Sequence, residues 1–149
     1  MAQAAAAASA RGKRILVVDD EEGMRDMLRA LLSKAGYAVT DAANGRAALS
    51  RLDDGDIDIV LADVRMPDLD GLGLLKKISE SKAPVTVIMM SAFVDLDTAI
   101  AALKAGAADY VSKPFRTDEV LLKIRMAQER VRLAEERERL RTENARLRG

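Results

Sequence analysis

The sequence predicts an α/β fold in which a doubly wound parallel β-sheet carries helices on both faces. Five short apolar segments alternate with segments whose apolar residues recur at helical spacing, and the connections between them are short. The first apolar run is continuous, as in a strand that is buried on both faces. Apolar residues make up 49% of the chain and aromatic residues only 3%, so we expect an aliphatic core.

The elements follow one another from residue 14 onward. The first strand, Arg14–Val18, runs into an acidic cluster, which favours the positive N-terminal end of a helix. Gly36 ends that helix, and Asn44-Gly45 marks the turn after the second strand. Strands are predicted over residues 14–18, 37–42, 57–62, 85–90 and 109–112. Helices are predicted around apolar positions within residues 24–32, 47–52, 72–78 and 95–105.

A final helix is predicted from about Thr117 to Arg148, because no proline interrupts this segment. A helix of about thirty residues extends about 45 Å at about 1.5 Å per residue, far beyond the sheet. Its first half carries an apolar stripe that can pack on the sheet, formed by Val120, Leu121, Ile124, Ala127 and Val131. Its second half places leucines at seven-residue intervals, at Leu133, Leu140 and Leu147, and Met126 extends the series backward.

The seven-residue spacing predicts a coiled coil of modest strength. With the leucines at d, the a positions are Lys123, Arg130, Arg137 and Asn144, and Ala127 and Ala134 at e widen the seam. Charged a residues weaken a coiled coil, whereas Asn at a favours two-stranded register, so we expect a modest parallel homodimer. The alternative is a solvated single helix. Because Arg and Glu alternate in this segment, we expect no direct contact with nucleic acid, although basic residues are in excess from Arg116 onward.

Composition excludes several classes of function. The net charge is zero, so no global field attracts nucleic acid. Without cysteine or histidine, the chain has no disulfide, no thiolate or imidazole metal ligand, and no histidine base. No apolar stretch is long enough to span a bilayer, so we expect no membrane contact and a cytoplasmic location. Residues 1–12 are Ala-rich without the order of a signal peptide, and we expect a disordered tail.

Five chemically capable side chains lie where predicted strands end: Asp19, Asp20, Asp63, Ser91 and Lys113. The carboxyl ends of parallel strands meet at one edge of a sheet, which is where ligands bind in such folds. Crowded carboxylates repel one another, and a hard divalent cation such as Mg²⁺ relieves that repulsion. The lysine supplies a second positive charge and the serine a hydroxyl donor. A phosphoryl group on one carboxylate would therefore be stabilised by the cation, the lysine ammonium and the serine hydroxyl. Aspartate is a known nucleophile for covalent catalysis of this kind.

These residues stand in segments that resemble the receiver domain of bacterial response regulators, over roughly residues 13–130. The resemblance is carried by residues 15–22 (ILVVDDEE), 58–71 (DIVLADVRMPDLDG), 89–92 (MMSA) and 106–115 (GAADYVSKPF). It implies a flavodoxin-like five-stranded sheet of order 2-1-3-4-5. It also implies that Asp63 is the phosphorylation site, that Mg²⁺ is the cofactor, and that a sensor histidine kinase is the phosphodonor.

The resemblance assigns further roles around Asp63. Asp19 and Asp20 form the acid pocket, in which Asp20 binds the metal directly and Asp19 through water. The backbone carbonyl of Arg65 completes the protein ligands. Lys113 is the conserved-type lysine of the family, and its bond to Pro114 is expected to be cis.

Two residues stand at the family's switch positions. Ser91 occupies the hydroxyl position and Tyr110 the aromatic one, although a half-buried tyrosine needs no switching role. Phosphorylation would repack the face formed by the fourth helix, fifth strand and fifth helix, and so change the homodimer. For Asp68 and Asp70 we expect ordinary turn chemistry. Arg65 and Phe93 are poor candidates to position water, so slow loss of the phosphoryl group is expected.

The sequence of residues 136–148 resembles the linker of nitrogen-regulation-class response regulators. In these proteins the linker joins the receiver to an AAA+ ATPase that acts with sigma-54 polymerase, and to a DNA-binding domain. The organisation implied is a receiver over residues 13–116 and a dimerising linker over 117–149, a regulatory fragment that controls an output domain. The chain contains no P-loop.

Two other functions use a similar site. An aspartyl-phosphate phosphatase or phosphotransferase also needs a strand-end Asp and magnesium. Such enzymes usually carry an acid/base Asp two residues after the nucleophile, where this chain has Arg65. We therefore expect a switch rather than an enzyme. The second alternative is a stand-alone phosphorelay intermediate, for which the long helix would have no use.

Overall fold

The computed structural model describes residues 14–67, 69–92 and 96–148, in which five strands alternate with five helices. The strands are β1 Arg14–Val18, β2 Ala38–Ala42, β3 Ile59–Asp63, β4 Thr86–Ser91 and β5 Asp109–Ser112. The helices are α1 Glu22–Lys34, α2 Gly45–Asp53, α3 Gly71–Ser81, α4 Leu96–Lys104 and α5 Thr117–Arg148. All strand pairs are parallel, in the order β2-β1-β3-β4-β5. The predicted fold class and strand order are confirmed. The predicted tail over residues 1–12 lies outside the described residues.

β1 and β5 have the predicted bounds, whereas β2, β3 and β4 differ from theirs by one or two residues. Tyr37 was predicted to open β2, but its backbone N–H donates to Leu32 O at 3.1 Å and closes the end of α1. Gly36 makes this possible because it adopts a φ of 101°, which favours glycine. Asp63 and Ser91 are the last residues of β3 and β4 rather than the residues after them. Both side chains are therefore held by strand backbone that is paired in the sheet.

The sheet is covered on both faces, as its continuous apolar strands predict. In β1, Ile15 and Val17 point to the layer formed by α1 and α5, whereas Leu16 and Val18 point to the layer formed by α2, α3 and α4. All four side chains are fully buried. A strand that is apolar on both faces has no stable position at a surface, and this places β1 and β3 in the interior of the sheet.

Helix α5 consists of two different halves. In the first half Val120 and Ile124 are fully buried against the sheet, which confirms the predicted stripe at its centre. In the second half every leucine of the seven-residue series is exposed. The exposed fractions are 45% for Met126, 51% for Leu133, 49% for Leu140 and 79% for Leu147. The helix therefore leaves the body of the domain with an uncovered apolar seam.

The opposite edge of the sheet, where the strands begin, carries a salt bridge between β1 and the residue before β3. The Arg14 Nε and Nη2 atoms donate to the two oxygens of Asp58 at 2.9 and 3.0 Å. The backbone N–H of Arg14 donates to the same carboxylate at 3.2 Å. This paired geometry fixes β1 against β3 at their first residues. Among the described residues, no helix is both long and apolar enough to cross a membrane.

Candidate functional site

The carboxyl edge of the sheet gathers the side chains that the sequence predicted to lie there. Asp19 directly follows β1 and is fully buried, whereas Asp63, at the end of β3, is 7% exposed. Ser91 at the end of β4 is also buried, and Asp20 is exposed. Because β1, β3 and β4 are adjacent interior strands, their last residues meet over one small area. The fold therefore buries carboxylates that are costly to bury without partners.

Lys113 provides that partner by bridging two carboxylates. Its Nζ atom lies 2.7 Å from Asp19 Oδ2 and 3.0 Å from Asp63 Oδ2. The backbone places it, since the Lys113 N–H donates to Ser91 O at 2.7 Å. The bond to Pro114 is cis, as predicted. Burial by itself would lower the pKa of Lys113, but the hydrogen bonds that its ammonium donates to both carboxylates outweigh it and raise that pKa above its ordinary value. The lysine therefore stays charged at neutral pH.

One lysine does not balance the negative charge of the site. Carboxylate oxygens of Asp19, Asp20 and Asp63 lie within 4.8 Å of one another, so three acidic groups face a single bridging ammonium. Such a set of oxygen donors fits a hard divalent cation such as Mg²⁺, which prefers a few carboxylate oxygens and keeps some of its waters. The side chains that would hold the cation are these three carboxylates.

Backbone contacts restrict the loop that follows Asp63. The backbone N–H of Arg65 donates to Asp63 Oδ1 at 3.1 Å, and the Arg65 side chain is exposed. Asp70 caps α3 through a 2.8 Å bond from the Gly73 N–H, which agrees with the local role predicted for it. A Cβ atom at Gly71 would lie 2.3 Å from Asp63 O, so only glycine fits where α3 begins. Asp68 and Phe93 lie outside the described residues.

A surface cavity of about 570 Å³ lies beside this loop and reaches Ser91. Arg65 and Met66 line it on one side and Thr98 of α4 on the other. The buried end of β4 is therefore open to small groups from the α4 side.

Tyr110 lies in β5 and packs, half-buried, against the apolar layer that includes α4. Its carbonyl oxygen accepts a 2.7 Å hydrogen bond from Lys123 Nζ, which also contacts Asp109 Oδ1 at 3.0 Å. Arg130 similarly donates to Ala108 O at 3.2 Å. The sequence had placed Lys123 and Arg130 at a positions of a coiled coil, whereas both side chains contact the receiver body instead. The helix seam that remains available begins beyond them.

Arg25 contacts the site although nothing in the sequence indicates it. It lies one turn into α1, where its Nη1 atom donates to Asp19 O at 2.9 Å. Its Nε atom donates to Asp41 Oδ2 of β2 at 3.2 Å. From sequence alone, an arginine in the first turn of a helix that begins with acidic residues is expected to be solvent-exposed. Only the packing of α1 against the strand ends reveals the contacts of Arg25.

Comparison with known proteins agrees with this geometry. Residues 15–125 match the family described as "Response regulator receiver domain". Over 114 residues the chain is 43% identical to the regulatory protein AtoC of Escherichia coli, a match that covers 76% of this chain and 25% of that protein. It is 41% identical over 113 residues to the DNA-binding transcriptional regulator NtrC of Salmonella typhimurium, covering 76% of this chain and 24% of that protein. The chain thus spans about a quarter of the length of these two relatives.

Solved structures with the same fold include single receivers and longer proteins. A response regulator receiver domain from Clostridium thermocellum superposes with a TM-score of 0.77 at 32% identity, covering 81% of this chain and 98% of that one. NtrX from Brucella abortus superposes with a TM-score of 0.80 at 34% identity, covering 85% of this chain but 29% of that one. These matches agree with the predicted resemblance to nitrogen-regulation-class receivers.

Proposed function

The chain belongs to the response regulator receiver family, and from that premise we propose that it is a phosphorylation-controlled switch whose acceptor is Asp63. The phosphodonor would be a phosphohistidine of a sensor histidine kinase. The observation that carries the proposal is the bridge from Lys113 to Asp19 and Asp63, set beside a third carboxylate at Asp20. The excess negative charge at this edge favours binding of a divalent cation, and a bound cation together with Lys113 would in turn favour a phosphoryl group.

In the proposed transfer a carboxylate oxygen of Asp63 attacks the phosphorus of the phosphohistidine. The new P–O bond forms as the P–N bond breaks, and the leaving imidazole nitrogen keeps the electron pair and takes up a proton. Bound Mg²⁺ would supply positive charge that offsets the charge on the phosphoryl oxygens. Lys113 would hold a second phosphoryl oxygen through the ammonium that now bridges Asp19 and Asp63. The Ser91 hydroxyl would donate to a third.

We propose that the structural change caused by phosphorylation of Asp63 is transmitted through β5 to α5. The Lys123 contact joins α5 directly to the backbone of Tyr110, so any movement of β5 must also move the base of α5. The outcome would be a change in how two copies pair along α5, through the exposed leucine seam and the face of α4, β5 and α5. By analogy with the DNA-binding transcriptional regulator NtrC, the switch would control a transcription-regulating output region. Because Arg65 stands where aspartyl-phosphate enzymes usually carry an acid/base Asp, we propose a switch and not an enzyme.

The acceptor is tested by incubating the chain with Mg²⁺ and acetyl phosphate and measuring the added mass of one phosphoryl group. Asp63→Asn should reduce uptake by at least about a hundredfold, because the amide is a poor nucleophile. Asp70→Asn is the matched control, since Asp70 lies on the same loop and asparagine still caps a helix. Undiminished uptake by Asp63→Asn would disprove the assignment. Decay of the wild-type product within seconds would refute the slow hydrolysis expected from Arg65 and Phe93.

Pairing along α5 is tested by sizing the chain with and without beryllofluoride. The wild type should dimerise in a concentration-dependent way, and Leu140→Asp should be monomeric because a charge enters the seam. Thr142→Ala, at the f position on the side of the helix opposite the seam, should still dimerise. A wild type that stays monomeric under both conditions would instead favour the phosphorelay alternative.

A further inference from the structure

The turn between β1 and α1 carries two of the three site carboxylates, and they are held very differently. Asp19 is fully buried, bonded to Lys113, and accepts the backbone N–H of Glu21 on Oδ1 at 2.9 Å. Asp20 is exposed. In the described part of the chain, no hydrogen bond or ion pair of the Asp20 side chain is found. The backbone therefore sets the position and the Cα–Cβ direction of Asp20, from which its carboxylate can reach the cation site.

That backbone is fixed by Arg25. A peptide group is planar, so a bond to the carbonyl oxygen of Asp19 also orients the N–H and Cα of Asp20. Arg25 Nη1 makes this bond at 2.9 Å from α1. The same guanidinium is anchored on Asp41 of the neighbouring strand, and its side chain is only 16% exposed. The Asp19–Asp20 peptide is thus tied to both α1 and β2.

We propose that Arg25 is a positioning residue for the cation site, acting on Asp20 through the Asp19–Asp20 peptide. The inference rests on the proposed function, because it concerns the same Mg²⁺ site. Residues that orient metal ligands without touching the metal commonly change metal affinity by about ten- to a hundredfold when they are replaced.

Geometry and charge predict opposite signs for the loss of this arginine. If Arg25 acted only through its positive charge, removing that charge would leave the carboxylates more negative and tighten cation binding. If Arg25 orients Asp20, its removal weakens cation binding. The salt bridge to Asp41 favours the second, because the pair is formally neutral and leaves little net charge to act on the site.

The experiment is titration of the whole chain with magnesium chloride by calorimetry. Arg25→Met keeps most of the side-chain volume, and we expect its Mg²⁺ affinity to fall about tenfold. Arg25→Lys should fall similarly, because an ammonium cannot reproduce the fork between Asp19 O and Asp41. Arg29→Met, one turn farther along α1 and exposed, should match the wild type. Phosphoryl uptake by Arg25→Met should recover at saturating Mg²⁺, because the acceptor itself is unchanged.

Asp41→Asn provides a second variant in which the arginine remains but loses its charged anchor. A fall in Mg²⁺ affinity smaller than that of Arg25→Met supports the proposal. Unchanged or tighter binding by a folded Arg25→Met overturns it. If Arg25→Met fails to fold, unchanged binding by Asp41→Asn overturns it instead. Failure of the wild type to bind Mg²⁺ would count against the proposed function itself, which separates the two conclusions.

Discussion

Both edges of the sheet hold ion pairs, but only at the amino edge does the buried carboxylate have a cation of its own, because the nearby Asp56 carboxylate is 80% exposed. At the amino edge, Arg14 and Asp58 satisfy each other through two side-chain bonds and one backbone bond. At the carboxyl edge a single lysine serves two carboxylates while a third lies within 4.8 Å. Both edges join neighbouring strands of the same sheet.

In this fold, the balance of charge within an ion pair distinguishes one that only stabilises the structure from one that can bind a ligand. A balanced pair with its hydrogen bonds complete has no remaining capacity to bind a ligand. Excess charge of one sign must be offset by something that the polypeptide does not supply. Variants at the amino edge should therefore change folding stability alone, whereas variants at the carboxyl edge should change ligand binding.

The largest expected effect is on stability at the amino edge. Asp58→Ala should lower the free energy of unfolding by about 2 kcal/mol, because it leaves the half-buried Arg14 guanidinium without its paired acceptor. The control is Asp56→Ala, whose carboxylate lies 3.6 Å from Arg14 and is 80% exposed, and which should cost under about 0.5 kcal/mol. Urea unfolding measures both. Equal costs would show that the amino edge is not a specific pair.

An intermediate effect is expected on cation binding at the carboxyl edge. Asp20→Asn removes one of the three charges and should weaken Mg²⁺ binding about tenfold, or about 1.4 kcal/mol, with little change in stability because Asp20 is exposed. Asp58→Asn, the same chemical change at the other edge, should leave the titration unchanged. A weakened titration in Asp58→Asn would mean that the two edges do not act independently.

The smallest effect is on the pH dependence of stability. The pKa of folded Lys113 is raised above 10.5, so its ion pairs contribute fully below that pH and are lost as the pH rises through the folded pKa. Lys113→Met should therefore show a flatter loss of stability above about pH 10. Burial also raises the pKa of Tyr37, which makes stability depend on pH in the same range. The wild type and Lys113→Met should therefore be compared in a Tyr37→Phe background. Identical slopes would contradict the bridging role of Lys113.

The sequence predicts the fold and the location of the site for the same reason. Apolar runs identify the strands, and their parallel order brings the residues at their ends together, so Asp19, Asp63, Ser91 and Lys113 could be placed without a structure. Their chemical roles stay predictions.

Contacts between elements could not be predicted from spacing. The heptad pattern placed Lys123 at an a position of a coiled coil. In the structure its ammonium instead donates to the carbonyl oxygen of Tyr110 and the carboxylate of Asp109 in β5. Arg25 sits on a helix whose rotation about its axis is fixed only by packing, so its bond to the backbone of Asp19 has no signature in the sequence. β2 begins one residue later than predicted because the end of α1 takes the N–H of Tyr37.

The division of α5 into an anchored half and an exposed half gives the helix the mechanics of a lever. Its last buried side chain is Ala127, and the 32-residue helix ends at Arg148. The arm beyond Arg130, whose side chain still contacts Ala108, has about eighteen residues and is about 27 Å long, so a tilt of about 5° at its base moves its tip by about 2 Å. A small displacement at β5 would thus become, at the far end, a shift of about the radius of a methyl group. Shortening the arm would reduce that travel in proportion, whatever the energy of the switch.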